Sequence, residues 1–206
     1  MNAKSFWEEE YKRNLTHHVN QNSVIARDFL KSLDFTPGFL PVFKNSKSLI
    51  EIGCGSGDMC YLAKQTYNYE NVLGLDLSEN VLVGAKKKYP EINFIVCDVK
   101  DDDLRRLGIY DICLSSNVLE HFRDPYHVID RSLEICKFFV AIVPYRQPED
   151  IEPIDGAGGH ISSFSEESFR RYNILDGFIF KTAGWVHSAK GEDPRQLAVL
   201  LKGNIL

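Results

Sequence analysis

Apolar residues along this chain fall into two kinds of run: short blocks bounded by turn residues, and longer stretches in which they recur at helical spacing. Short blocks rich in β-branched and aromatic residues read as strands, and the periodic stretches between them as crossover helices. Strands are predicted over Ser48 to Ile52, Asn71 to Asp76, Asn93 to Cys97, Asp111 to Ser115, Phe138 to Val143, Phe178 to Trp185 and Gln196 to Lys202. Helix starts are marked by Ser78 with Glu79 in the first turn, by Asp124-Pro125 as cap and first residue, and by Ser165 followed by Glu166 and Glu167. Val24, Ile25, Phe29, Leu30 and Leu33 predict a further helix that stops before Pro37-Gly38. This alternation predicts an α/β fold, a doubly wound and mostly parallel seven-stranded sheet with helices on both faces. No repeat, low-complexity tract or linker interrupts the chain. Residues 1–206 therefore read as one domain, with 1–46 as an N-terminal helical extension.

The first strand breaks into Glu51-Ile52-Gly53-Cys54-Gly55-Ser56-Gly57, and the second ends on Asp76. Glycines at 53, 55 and 57 allow positive φ and close approach to a ligand, while an acid after the second strand is placed to receive two ribose hydroxyls. That combination points to a nucleotide pocket. A dinucleotide loop usually spaces its glycines G-x-G-x-x-G so that a pyrophosphate rests on the helix N-terminus. Here the spacing is tighter and Glu51 lies two residues ahead of it, where it either favours a cation or orients backbone amides.

The loop resembles the first motif of the class I S-adenosylmethionine-dependent methyltransferases, which carry E-x-G-x-G-x-G at the end of their first strand. Asp98 in Phe94-Ile-Val-Cys-Asp-Val99 and the segment Asn117-Val-Leu-Glu120-His121-Phe122 extend the resemblance from Leu49 to Val143. It implies S-adenosylmethionine as cofactor and S-adenosylhomocysteine as product. It also implies a cradle of Glu51, Gly53, Gly55 and Gly57, with Asp76 and Leu77 at the ribose, Asp98 and Val99 at the adenine, and Asn117 after the fourth strand. Phe6-Trp7 through Tyr11 and Arg13 looks like the short helix such enzymes fold over the cofactor, so residues 1–46 would cap the site. Tyr11 or Arg13 would then reach the methionine carboxylate, while Phe6 and Trp7 read equally as core.

Two histidines are candidates for acceptor chemistry. His121 follows the fourth strand, where ligands of doubly wound sheets collect, and either pairs with Glu120 to shape the loop or meets the substrate. His160 sits in the glycine-rich run Asp155-Gly-Ala-Gly-Gly-His-Ile-Ser-Ser-Phe164, which reads as a substrate lid in which the histidine is a general base or acceptor-binding group, or else merely hydrogen-bonds to the loop. Transfer from a sulfonium is an in-line displacement, so holding the acceptor about 3 Å from the methyl supplies much of the rate. A base matters most when the acceptor is a hydroxyl. Tyr145 and Arg146 add acceptor-side candidates, which favours an enzyme over an idle cofactor-binding subunit.

The expected activity is methylation of a small metabolite or sugar-type acceptor at oxygen, of the kind that tailors polysaccharides, with no metal. A second possibility is metal-assisted methylation of an RNA end or phosphorylated substrate. Asn117, Glu120 and His121 lie at i, i+3 and i+4 and His160 joins them, which resembles in outline the metal cluster of the small-RNA 3'-end methyltransferases, although their first glutamate is Asn117 here. A nicotinamide-dependent oxidoreductase is disfavoured by the glycine spacing and by Asp98.

Composition narrows the setting. A formal net charge of -5 over 206 residues argues against general nucleic-acid binding, which needs a basic surface. Five cysteines without a C-x-x-C pair read as buried thiols of a reducing compartment. No leader-like or membrane-length apolar stretch stands out. The expectation is a cytoplasmic monomer or homodimer acting on a small molecule. Lys86-Lys87-Lys88 reads as a solvated helix face and Asp101-Asp102-Asp103 as an exposed turn.

Overall fold

The computed structural model describes residues 2–146, 159–182 and 195–205, with side chains left aside at 14–22. Helix α1 runs Ala3–Ser32, α2 Phe39–Asn45, α3 Asp58–Tyr67, α4 Glu79–Lys88 and α5 Pro125–Leu133. Strands β1 (Ser48–Ile52), β2 (Asn71–Asp76), β3 (Asn93–Val96), β4 (Tyr110–Ser116), β5 (Cys136–Pro144), β6 (Ile174–Lys181) and β7 (Arg195–Lys202) form one sheet in the order β3-β2-β1-β4-β5-β7-β6. β7 runs antiparallel to both β5 and β6, and the remaining pairings are parallel. The strand order reverses between β1 and β4. A crevice at the carboxyl ends of those strands is where such sheets bind ligands.

Side chains alternate between two packed layers. Leu49, Val72, Ile112, Leu114 and Val140 face the layer built by α1 to α4, while Ile50, Ile52, Leu75, Cys113 and Phe139 face α5 and the turns around Leu104 and Phe169. All five cysteines are buried free thiols. Ser78 caps α4 by accepting from the Val81 amide at 3.4 Å, and Asp124 caps α5 by accepting from the His127 amide at 3.1 Å. No helix among the described residues is long and apolar enough to cross a membrane.

Three elements depart from the sequence expectation. The two helical segments expected before β1 are one continuous helix of 30 residues, opened by a capping box between Asn2 and Ser5. Neither glycine nor proline interrupts the polar stretch between its two apolar segments, so the backbone has no reason to stop there. β6 begins at Ile174 rather than Phe178 and ends at Lys181, and Trp185 lies outside the described residues. As an edge strand it leaves Ile174, Leu175 and Ile179 exposed, which removes the burial alternation that marks a strand start. Finally, Ser165 opens only a single 3-10 turn, Glu166–Phe169.

Candidate cofactor and acceptor site

The glycine loop at the tip of β1 is shaped first by protein neighbours. Gly53 has φ +66, and a Cβ there would lie 2.2 Å from the Val118 side chain; Gly57 has φ +78 and faces the Phe94 ring at 2.5 Å. A side chain at either position is excluded sterically as well as conformationally. The remaining glycine, Gly55 at φ +52, directs its amide to Asp76 Oδ2 at 2.8 Å. Asp76 Oδ1 accepts from the Ser78 amide at 2.9 Å. Burial pushes the Asp76 carboxyl up to about 6, opposed by the amides of Ser78 and Gly55. It is therefore ionised at neutral pH. An ionised carboxylate offers about four acceptor positions, and the amides of Gly55, Leu77 and Ser78 take up three of them.

Glu51 lies beneath the loop instead of lining it. Its Oε2 accepts from the Cys60 amide at 3.1 Å and from the Cys60 thiol at 2.9 Å, so the side chain caps the first turn of α3. Of the two sequence readings for Glu51, the geometry matches the orienting of backbone amides. Burial pushes its carboxyl up to about 8.

Beyond β3, a pocket is lined by Leu77, Val96, Asp98 and Lys100, with the α1 cap Asn2 and Lys4 of α1 also on its wall. Asp98 Oδ1 accepts from the Lys100 amide at 3.0 Å, which fixes the turn and the direction of the carboxylate. Val99 is different: its side chain is buried in the core on the α5 side. Tyr11 packs against the core from α1, and burial followed by the charge of Asp76 pushes its phenol well above its ordinary value of 10. Arg13 pairs instead with Glu9 on the exposed face, at 3.0 Å.

After β4 the chain turns sharply. Asn117 takes φ +53, its Nδ2 donates to Ser116 Oγ at 3.3 Å, and its buried Oδ1 has no partner among the described residues. Leu119–His121 is one 3-10 turn, so Asn117, Glu120 and His121 do not share an α-helical face. No three His, Cys, Asp or Glu side chains among the described residues are grouped to hold a metal. Glu120 is 1% exposed, neither carboxyl oxygen has a hydrogen-bond partner among the described residues, and burial pushes it up to about 8.

The two candidate histidines meet here. Their ring centroids are 5.6 Å apart, and the Trp7 ring of α1 packs edge-on against His121 at 5.3 Å. The amides of Ile161 and Ser162 donate to the Glu120 carbonyl at 2.8 and 3.1 Å, docking the segment that carries His160 on the β4 turn. His121 Nδ1 lies 2.8 Å from the Gly159 carbonyl oxygen. A carbonyl only accepts, so Nδ1 carries the proton and Nε2 is the basic nitrogen. Tyr145 and Arg146 stand apart, bonded to Glu166.

Residues 20–178 match a family described as a methyltransferase domain. The chain belongs to that family. Among relatives of this methyltransferase domain, a ubiquinone biosynthesis O-methyltransferase of Cronobacter sakazakii is 26% identical over 95 residues, covering 44% of this chain and 38% of the relative. The curated relatives it matches are covered over only 21% to 38% of their own length. Solved structures agree on the fold. An S-adenosylmethionine-dependent methyltransferase from Anabaena variabilis superposes with TM-score 0.70 at 17% identity, over 98% of this chain and 96% of the other. Magnesium protoporphyrin IX methyltransferase from Synechocystis, solved with S-adenosylhomocysteine bound, gives 0.66 at 14% identity over 97% and 99%.

Sequence reading missed Glu8. It lay unassigned in a run of three glutamates, yet its carboxylate accepts from the Glu79 amide at 2.7 Å and the Asn80 amide at 3.3 Å. No local signal marks a contact made across 71 residues of chain.

Proposed function

We propose that this methyltransferase domain transfers a methyl group from S-adenosylmethionine to a small metabolite or sugar-type acceptor, at oxygen. The observation that carries the reading is the continuity of the site. The pocket at Asp98 after β3, an ionised Asp76 at the end of β2 joined to the glycine loop after β1, and the Trp7–His121 pair after β4 follow the strand order along one edge of the sheet, beneath α1. Residues 1–206 then act as one domain in which 1–46 cap the cofactor.

The residues present suit the cofactor. Asp76 keeps an acceptor position for the ribose after the amides of Gly55, Leu77 and Ser78, and Leu77 and Val96 offer apolar walls to the adenine beside Asp98. Gly53, Gly55 and Gly57 keep the backbone low beneath the nucleoside, with Glu51 holding α3 in place. Tyr11 and Asn117 border the methionine end, and Val99 contributes through its backbone. Bound S-adenosylmethionine supplies a methyl already activated on a sulfonium. His121 Nε2 takes the proton of the acceptor hydroxyl as the new bond forms, with Gly159 holding the tautomer and His160 lining the acceptor side.

The name of the Cronobacter relative supports oxygen as the methylated atom. The test is methyl transfer measured across a panel of phosphorylated sugars, nucleotide sugars, phenols, amines and RNA. Transfer to a hydroxyl compound and none to RNA is expected; transfer confined to amines or RNA would overturn the acceptor assignment.

A further inference from the structure

Lys4, Trp7, Glu8 and Tyr11 follow the i, i+3, i+4, i+7 spacing that places side chains on one face of α1. Each has different neighbours. Lys4 lines the pocket at Asp98, Trp7 packs on His121, and Tyr11 packs against the core and the Trp7 ring. Glu8 reaches α4.

The N-terminus of α4 shows why that contact matters. The first four amides of a helix lack intrahelical partners. The Ser78 amide goes to Asp76 Oδ1 at 2.9 Å and the Val81 amide to Ser78 Oγ at 3.4 Å, while Leu82 makes the first intrahelical bond, to the Ser78 carbonyl. Glu79 and Asn80 remain, and their amides are the two that Glu8 accepts, at 2.7 and 3.3 Å. The side-chain amide of Asn80 donates to the same carboxylate. A negative charge at this end of α4 is also favoured by the helix dipole. These bonds are solvent-exposed and join segments distant in sequence, so they can open without disturbing the core.

We propose that Glu8 is a latch: a positioning residue that holds the first turns of α1 over the site, so that its release sets the rate of cofactor and product exchange. The proposal rests on the reading that the site takes S-adenosylmethionine. Because Trp7 lies on the same helix face, closing the latch also seats the edge of its ring against His121. Cofactor retention and base placement then become one event, and transfer proceeds only with the nucleoside enclosed.

The test uses the full chain with Trp185→Phe, which leaves Trp7 as its only tryptophan, and compares Glu8→Ala and Glu8→Gln. Without ligand, hydrogen exchange at the Glu79 and Asn80 amides should quicken about tenfold or more in Glu8→Ala, and less in Glu8→Gln, which keeps an acceptor oxygen. The unfolding midpoint should move by only a few degrees. With S-adenosylhomocysteine bound, its release, followed by Trp7 emission after dilution, should quicken about tenfold in Glu8→Ala, with Glu8→Gln in between. Unchanged exchange at Glu79 and Asn80 would overturn the latch, and faster exchange with unchanged release would overturn the gating. If the Glu8 parent chain fails to bind S-adenosylhomocysteine at all, the cofactor reading and the gating fall together, and the ligand-free exchange alone decides whether Glu8 holds α1.

Discussion

The amide of Gly55 and the Oδ2 of Asp76 lie 2.8 Å apart, so the loop after β1 and the acid that closes β2 form a single unit. Replacing Asp76 with alanine should therefore act twice, removing the acceptor offered to the ribose and releasing the loop. A hydrogen bond to a charged group contributes about 1.5–3 kcal/mol, so S-adenosylmethionine affinity should fall by roughly tenfold or more. Unchanged affinity in a folded Asp76→Ala protein would show that the nucleoside does not bind against β2.

Glycine positions separate packing from propensity. Gly53→Ala should destabilise the chain by about 1–3 kcal/mol, because φ is +66 and Val118 leaves no room. Gly84 lies within α4, and a Cβ added there would meet nothing within 4 Å, so Gly84→Ala should stabilise by about 0.5–1 kcal/mol. Denaturant midpoints of the two variants check both signs. A stabilised Gly53→Ala would mean that the loop conformation is wrong.

Glu51 and Glu120 are both pushed by burial from an ordinary 4.5 to about 8. Between those values the folded chain holds protons that the unfolded chain has released. Their contribution to stability is thus fully present below about pH 4.5 and is lost as pH rises through about 8. Asp76, raised from 3.8 to about 6, adds in the same direction at the acid end of that window. The melting midpoint should fall between about pH 5.5 and pH 8.5, and Glu120→Gln should flatten that slope. An identical slope in the variant would place Glu120 in contact with solvent or a charge.

His121→Ala should lower turnover by roughly 10²-fold to 10⁴-fold while S-adenosylhomocysteine affinity stays nearly constant. His160→Ala should cost less, since His160 lines the acceptor side next to the base. EDTA should change neither the wild-type rate nor these ratios. Loss of turnover on chelation, restored by magnesium or manganese, would replace the base with a metal held by Glu120, His121 and His160.

Much of the sheet was legible because each inner strand carries a dense apolar block that ends at glycine, aspartate, serine or proline. β1 and β2 have the bounds read from sequence, and Ser78 and Asp124 cap the helices they were expected to open. The edge strand β6 was misplaced because an exposed edge has no burial pattern to announce it. The acceptor side was less legible. Asn117, Glu120 and His121 have α-helical spacing in sequence, yet the positive φ of Asn117 and the 3-10 turn after it divide them. The proximity of Trp7, His121 and His160, like the Glu8 contact, is set by how α1 crosses the sheet. That crossing is a tertiary relation with no local spacing to reveal it.

The central claim, that this site binds S-adenosylmethionine, is tested most directly by calorimetric titration of the purified chain with S-adenosylhomocysteine and, separately, with NAD. One-site binding of S-adenosylhomocysteine with a Kd in the micromolar range and no heat from NAD is the expected result; binding of NAD without binding of S-adenosylhomocysteine would contradict it.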